Sequence, residues 1–125
     1  MINKCIFPAA GYGTRFLPVT KAIPKELLPI LNKPLIEYAI QEAFDSGVND
    51  MGLILNDQKI SIMQYFKNED NLSFFLKKNN KESLINSQIL LSRNCKFTSI
   101  NQEMMLGLGH AIYQAKEFIG DDSFG

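Results

Sequence analysis

Lys4-Cys-Ile-Phe-Pro8-Ala9-Ala10-Gly11-Tyr12-Gly13-Thr14-Arg15-Phe16-Leu17-Pro18 is the stretch on which the fold turns. Its first five residues are short, apolar and closed by a proline, which predicts a buried first strand. Residues 9–33 then carry Gly11 and Gly13 with Pro18, Pro24 and Pro29, too interrupted for a helix or a central strand. A loop of that length inside a compact domain usually serves function. Gly11 and Gly13 let backbone amides face outward, and a hydroxyl (Thr14) and a guanidinium (Arg15) follow at once. Amides converging on one point attract phosphate oxygens, and a guanidinium can add two parallel bonds. Phe16 stands where a dinucleotide fingerprint needs its third glycine, and no G-x-x-x-x-G-K-[ST] occurs. What remains is an anion loop of another kind, with Lys21 and Lys25 following on a proline-stiffened segment. By glycine spacing alone, a basic surface loop fits as well.

The charge distribution bears on the same region. Residues 1–25 hold Lys4, Arg15, Lys21 and Lys25 and no acid, a net +4 that the remainder offsets with −4, since the whole chain is neutral. All five prolines fall within the first 34 residues. Over its 125 residues the chain is 46% hydrophobic and 21% charged, which excludes intrinsic disorder and argues against nucleic-acid binding driven by bulk charge. No apolar run approaches the roughly 20 residues that span a bilayer, and the opening residues lack a signal-peptide core. Cys5 and Cys95 form no CxxC pair, and their isolation suits reduced thiols. The expected setting is cytoplasmic, with neither nucleic acid nor membrane as partner.

Working outward, residues 34–47 give the clearest helix. Pro34 takes a first-turn position, Leu35, Ile36, Ala39, Ile40, Ala43 and Phe44 form one stripe, and Gly47 stops it. Residues 51–55 read as a second buried strand, with Asn56 or Asp57 capping a helix to about Phe66. Residues 67–94 read as helical pieces forming an excursion, residues 96–100 as a strand, and residues 109–118 as a last helix with Ala111, Ile112, Ala115, Phe118 and Ile119 on one face. Alternating strands and helices imply an α/β fold with a mostly parallel, Rossmann-like sheet in three layers. Such sheets bind ligands at the carboxyl ends of their strands, so the loops holding Gly11 and Gly107 should share one edge.

At this point the sequence resembles a family. GYGTRFLPVTKAIPKELLPILNKPLI is similar to the signature of the sugar-nucleotide pyrophosphorylases, and TKAIPKE in particular resembles the bacterial members that uridylylate glucose 1-phosphate. Gln102-Glu-Met-Met-Leu-Gly107-Leu-Gly109-His110-Ala111 resembles the family's second nucleotide-contacting element, a glutamine five residues before a glycine. The resemblance is dense over residues 4–46 and 100–119 and thin between 67 and 94.

The resemblance implies transfer of UMP from UTP to glucose 1-phosphate, giving UDP-glucose and pyrophosphate. It implies that Ala9, Ala10 and Gly11 lie against the nucleotide and that Gly13, Thr14 and Arg15 hold the β- and γ-phosphates. Arg15 would steady the departing pyrophosphate, and Lys25 would reach the α-phosphate and the sugar phosphate. Glu26 would lie near the nucleotide, and Gln102 with the backbone of Gly107 would read the pyrimidine edge. It further implies Mg²⁺ with ligands beyond residue 125, a sugar site also beyond it, and a homo-oligomer in the complete enzyme. Residues 1–125 are accordingly expected to be the nucleotide-binding part of one nucleotidyltransferase domain, truncated before the metal and sugar sites. Asp121 and Asp122 read as an acidic turn after the last helix, and no metal ligand is assigned. His110 reads as a structural residue near the nucleotide loop. A thymidylyl- or adenylyltransferase and a non-catalytic nucleotide-binding fragment are the alternative readings.

Overall fold

A computed structural model describes residues 2–11, 14–56, 59–67, 70–102 and 106–125 of the chain. The first strand, β1 (Lys4–Pro8), is followed by single 3₁₀ turns at Thr14–Phe16, Val19–Lys21 and Lys25–Leu27. A two-residue antiparallel hairpin, β2 (Pro29–Ile30) and β3 (Lys33–Pro34), leads into α1 (Leu35–Asp45). The proline-rich stretch is therefore more ordered than its composition suggests. Its turns close locally, Leu27 N–H donating to the Pro24 carbonyl at 2.9 Å and Leu28 N–H to that of Lys25 at 3.1 Å, so the missing proline N–H groups cost nothing. Pro34 differs from its expected place: it precedes α1 in extended backbone (ψ 150°) and pairs with Pro29.

Beyond α1 come β4 (Asp50–Leu55), α2 (Ile60–Tyr65), α3 (Asp70–Lys78), a 3₁₀ turn at Glu82–Ile85, α4 (Asn86–Asn94), β5 (Lys96–Asn101), α5 (Leu108–Gln114) and α6 (Lys116–Ile119). The last helix, read from sequence as one, breaks at Ala115. Lys59, not Asn56, stands at the N-terminal boundary of α2, and the Asn56 side-chain N–H donates to the Ala10 carbonyl at 2.8 Å. Asp57 lies outside the described residues.

The main sheet runs β1-β4-β5, all parallel, with Ile6 opposite Gly52 and Gly52 opposite Thr98. Successive side chains of a strand face opposite ways, and central β4 uses both faces. Met51, Leu53 and Leu55 pack with Ile36, Ile40, Ile62 and Leu91 from α1, α2 and α4 and with Phe66 just past α2, while Ile54 packs with Ile6, Ile100, Ala111, Ala115 and Ile119 under α5 and α6. These are the expected three layers. Gly52 is small for a steric reason: a Cβ there would lie 2.8 Å from the Phe118 ring.

Helix α1 departs from its predicted stripe. Leu35 and Ala39 are exposed, whereas Glu37 is buried beside Ile36 and Ile40. At 100° per residue the buried arc is turned by about 50° toward Glu37. Tyr65 makes this tolerable by donating its hydroxyl to Glu37 Oε1 at 2.7 Å, although Oε2 is buried without a partner among the described residues. Burial, then this bond to a carboxylate, pushes the Tyr65 hydroxyl pKa far above its ordinary value. Within residues 70–94, Phe74 and Leu84 stand exposed, while Leu91 of α4 is fully buried against the sheet.

The chain's end returns to β1. Phe124 bridges Lys4 in parallel, Gly125 N–H donates to the Lys4 carbonyl and Ile6 N–H donates to that of Gly125, both at 2.8 Å. Lys4 Nζ meets Asp122 at 2.9 Å and donates to the Phe118 carbonyl at 2.6 Å, so Asp122 serves a turn at the amino end of β1. Among the described residues, no helix is long and apolar enough to cross a membrane.

Candidate functional site

Three backbone-anchored ties gather the loops at the carboxyl edge of the sheet. Ala9 N–H donates to the Ile54 carbonyl at 2.8 Å, Asn56 holds the Ala10 carbonyl, and Gln102 N–H donates to the Leu55 carbonyl at 2.7 Å. The segments after β1, β4 and β5 thus leave the sheet side by side, as its parallel order requires. Ala9 and Ala10 are buried beneath this edge, and Gly11 emerges from it with open space where a Cβ would stand. Gly13 lies outside the described residues, as do Tyr12, Met104 and Met105. Thr14 opens the 3₁₀ turn that carries Arg15.

Arg15 and Lys21 are exposed and Lys25 is half-buried. Among the described residues none of the three is matched by a carboxylate, so their charge is displayed rather than neutralised. Glu26, next in the chain, behaves oppositely. It is buried, and Lys59 Nζ donates to its Oε1 at 2.8 Å from an equally buried position just past β4. A buried pair of this kind contributes little by its mere presence, but each charge is intolerable without the other. Here it locks the Lys25–Leu27 turn to the carboxyl end of β4, which places Lys25 beside that edge. A cleft of about 410 Å³ opens next to it, lined in part by Pro8, Ala9, Glu26, Leu35 and Tyr38.

On the other side, Gln102 is 4% exposed, and its Nε2 lies 3.1 Å from His110 Nδ1. Gly107 precedes α5 with φ +93° and ψ −179°, a conformation that L side chains rarely adopt. This glycine is therefore required by the backbone, which turns Leu108 and His110 into α5 and His110 toward Gln102.

Sequence reading missed Lys59 and Glu37, while His110 has the structural place expected of it, hydrogen-bonded beside Gln102. Lys59 follows a strand end in a polar run with no periodicity to mark it. Glu37 had a signal in retrospect: on a helical wheel it lies beside Phe44, inside the arc that is buried. Cys5 and Cys95 are unbridged, and burial raises both thiol pKa values.

Comparison with known proteins agrees with this arrangement. A family model described as nucleotidyl transferase matches residues 4–124. The UTP–glucose-1-phosphate uridylyltransferase of Pseudomonas aeruginosa is 45% identical over 99% of this chain, and UTP–glucose-1-phosphate uridylyltransferase 2 of Staphylococcus saprophyticus is 43% identical over 98%. The chain spans 44% and 43% of their lengths. Among solved structures, UTP-bound UGPase from Acinetobacter baumannii superposes with a TM-score of 0.91 at 38% identity, covering 99% of this chain and 44% of that one. A UDP-glucose pyrophosphorylase complexed with UDP-glucose gives 0.86 at 44% identity, with 99% and 44% covered. A parallel sheet with one loop-gathering edge, matched in sequence from the first strand to the last turn, leads to one conclusion: the chain belongs to the nucleotidyl transferase family.

Proposed function

We propose that this chain forms the nucleotide-binding part of a uridylyltransferase that joins UTP and glucose 1-phosphate into UDP-glucose. The observation that carries the reading is the meeting, at one sheet edge, of a cationic loop (Arg15, Lys25) that no carboxylate among the described residues pairs and a buried, hydrogen-bonded amide (Gln102). A triphosphate suits the first and a base edge the second. The relatives named above carry this activity in their names, and one solved relative binds UTP.

The chemistry asks little of a protein base. A phosphate oxygen of glucose 1-phosphate forms a bond to the α-phosphorus of UTP, the bond to the bridging oxygen on the β-side breaks, and pyrophosphate leaves with that oxygen. The nucleophile is already ionised, so no proton need be removed. Two anions must still approach to a few Å, where repulsion reaches several kcal/mol at intermediate dielectric. Positioning and positive charge lower the barrier. In this reading Ala9, Ala10 and Gly11 seat the nucleoside, Gly13, Thr14 and Arg15 take the β- and γ-phosphates, and Lys25 faces the α-phosphate. Gln102 and the Gly107 backbone meet the base. Glu26 acts through Lys59 by fixing the turn that bears Lys25.

Mg²⁺ accompanies such reactions, but the described residues do not fit a resident site. No group of three or more His, Cys, Asp or Glu side chains among them could hold a metal ion. Glu26 is engaged by Lys59, and Asp122 by Lys4. We therefore derive no step through the metal. The unbridged thiols suit a reducing compartment such as the cytoplasm.

A second reading is nucleotide binding without turnover. Two measurements on this polypeptide decide. Titration calorimetry with UTP is expected to show one site; no heat of binding contradicts the proposal. Pyrophosphate release with UTP and glucose 1-phosphate then separates an active enzyme from a binding unit.

A further inference from the structure

His110 is half-buried at the start of α5 and meets a glutamine at each ring nitrogen. Gln102 Nε2 lies 3.1 Å from Nδ1 and Gln114 Nε2 lies 3.1 Å from Nε2. A neutral imidazole has one N–H and one lone pair, so it cannot accept from both amides. One glutamine must turn its oxygen to the ring. Gln114 is half-exposed on α5 and has room to turn, whereas the Gln102 side chain is enclosed at 4% exposure on a main chain that its backbone N–H fixes to the Leu55 carbonyl. The arrangement consistent with both contacts has Gln102 donating to Nδ1, with the ring proton on Nε2 donated to the Gln114 amide oxygen.

From this geometry we infer that His110 is a positioning residue that fixes which way the Gln102 amide points and thereby sets base selectivity. The inference rests on the reading above that Gln102 meets the base. With one N–H given to Nδ1, the opposite edge of the amide offers an acceptor, Oε1, beside the second N–H. That edge complements a pyrimidine whose N3 carries a proton next to a carbonyl, as in uracil. Cytosine turns an N3 lone pair toward the same Oε1 and is repelled. An amide rotated by 180° reverses the order and suits cytosine. Without His110 both orientations become accessible, and discrimination falls although no residue touching the base has changed. Discrimination of this kind arises from leaving a buried polar group unpaired with the wrong ligand.

The test is competitive binding of UTP and CTP to the chain and three His110 variants, with tripolyphosphate as a probe of the anion loop alone. The unaltered chain is expected to favour UTP by about tenfold or more, the worth of one misplaced hydrogen bond. His110→Leu removes the acceptor and should bring the ratio close to one while leaving tripolyphosphate affinity unchanged. His110→Gln, which reaches toward Gln114 but offers nothing at the Nδ1 position, should narrow the ratio likewise. His110→Asn, whose Oδ1 can replace the Nδ1 acceptor, should restore most of it. A wild-type UTP:CTP ratio in His110→Leu and His110→Gln overturns the inference, as does an equal loss of both nucleotides in the two. Gln102→Leu separates the premise from the inference: unchanged UTP affinity and ratio in that variant mean that Gln102 does not meet the base.

Discussion

The loop after β1 and the segment after β5 share one sheet edge and are built in opposite ways. The first displays Arg15 and Lys21 to solvent with no carboxylate to neutralise them among the described residues. The second buries Gln102 and ties it by backbone and side chain. In the proposed function the contrast follows from what each would do. Charge acts over distance and through water, so a cationic loop works while exposed. An amide discriminates between bases only where water cannot substitute for the lost bond, so it must be dry and held. Only where the charged loop needs anchoring does it adopt the other strategy, at Glu26 and Lys59.

That exception supplies the largest expected effect. Lys59→Met leaves Glu26 charged and alone in the interior, at a cost of about 3–5 kcal/mol. Calorimetry should show a melting temperature lowered by roughly 10–20 °C, and Glu26→Gln added to Lys59→Met should recover part of it. An unchanged melt would show that the pair anchors nothing. Arg15→Ala tests the other side of the contrast. Thermal stability should stay as it is, while affinity for UTP and for tripolyphosphate falls about tenfold or more, the loss of charge-assisted bonds. Gly107→Ala should lower stability by about 1–3 kcal/mol, because φ +93° becomes strained with a side chain, and should weaken uridine more than tripolyphosphate.

The smallest effect is one of pH. The folded protein holds the Tyr65 proton more tightly than the unfolded chain, whose tyrosine titrates near the ordinary 10.0. Unfolding therefore releases a proton above that pH, and stability declines as pH rises past 10, having been intact below it. Tyr65→Phe should flatten this decline while lowering stability near neutrality by about 1–3 kcal/mol, since Glu37 then has neither oxygen paired. A decline of the same steepness in Tyr65→Phe would remove Tyr65 from this role.

How much of this could be read beforehand follows from where the information lies. The strands β1, β4 and β5 were legible because each is a short apolar run with a clear stop, and their parallel order followed from the helices between them. The single loop edge came with that order. Local hydrogen bonding was not legible: the 3₁₀ turns of the proline segment and the break at Ala115 depend on backbone angles that no periodicity encodes. Nor were the buried polar groups. Lys59 and Glu37 carry charges that composition assigns to the surface, and only partners distant in sequence, Glu26 and Tyr65, make their burial possible. The sequence offered Gln102 as a candidate for meeting a base, and the structure shows it buried at the loop edge. That His110 holds it depends on the turn at Gly107 and on the ties that bring α5 beside β5.

The most direct test of the central claim, that one nucleotide bridges the two unlike segments, is an amide chemical-shift titration with three ligands. UTP should move resonances in both, at Gly11 and Arg15 and at Gln102 and Gly107. Tripolyphosphate should move only the first set and uridine only the second. Shifts confined to one segment with UTP, or the same set moved by both partial ligands, would contradict the account.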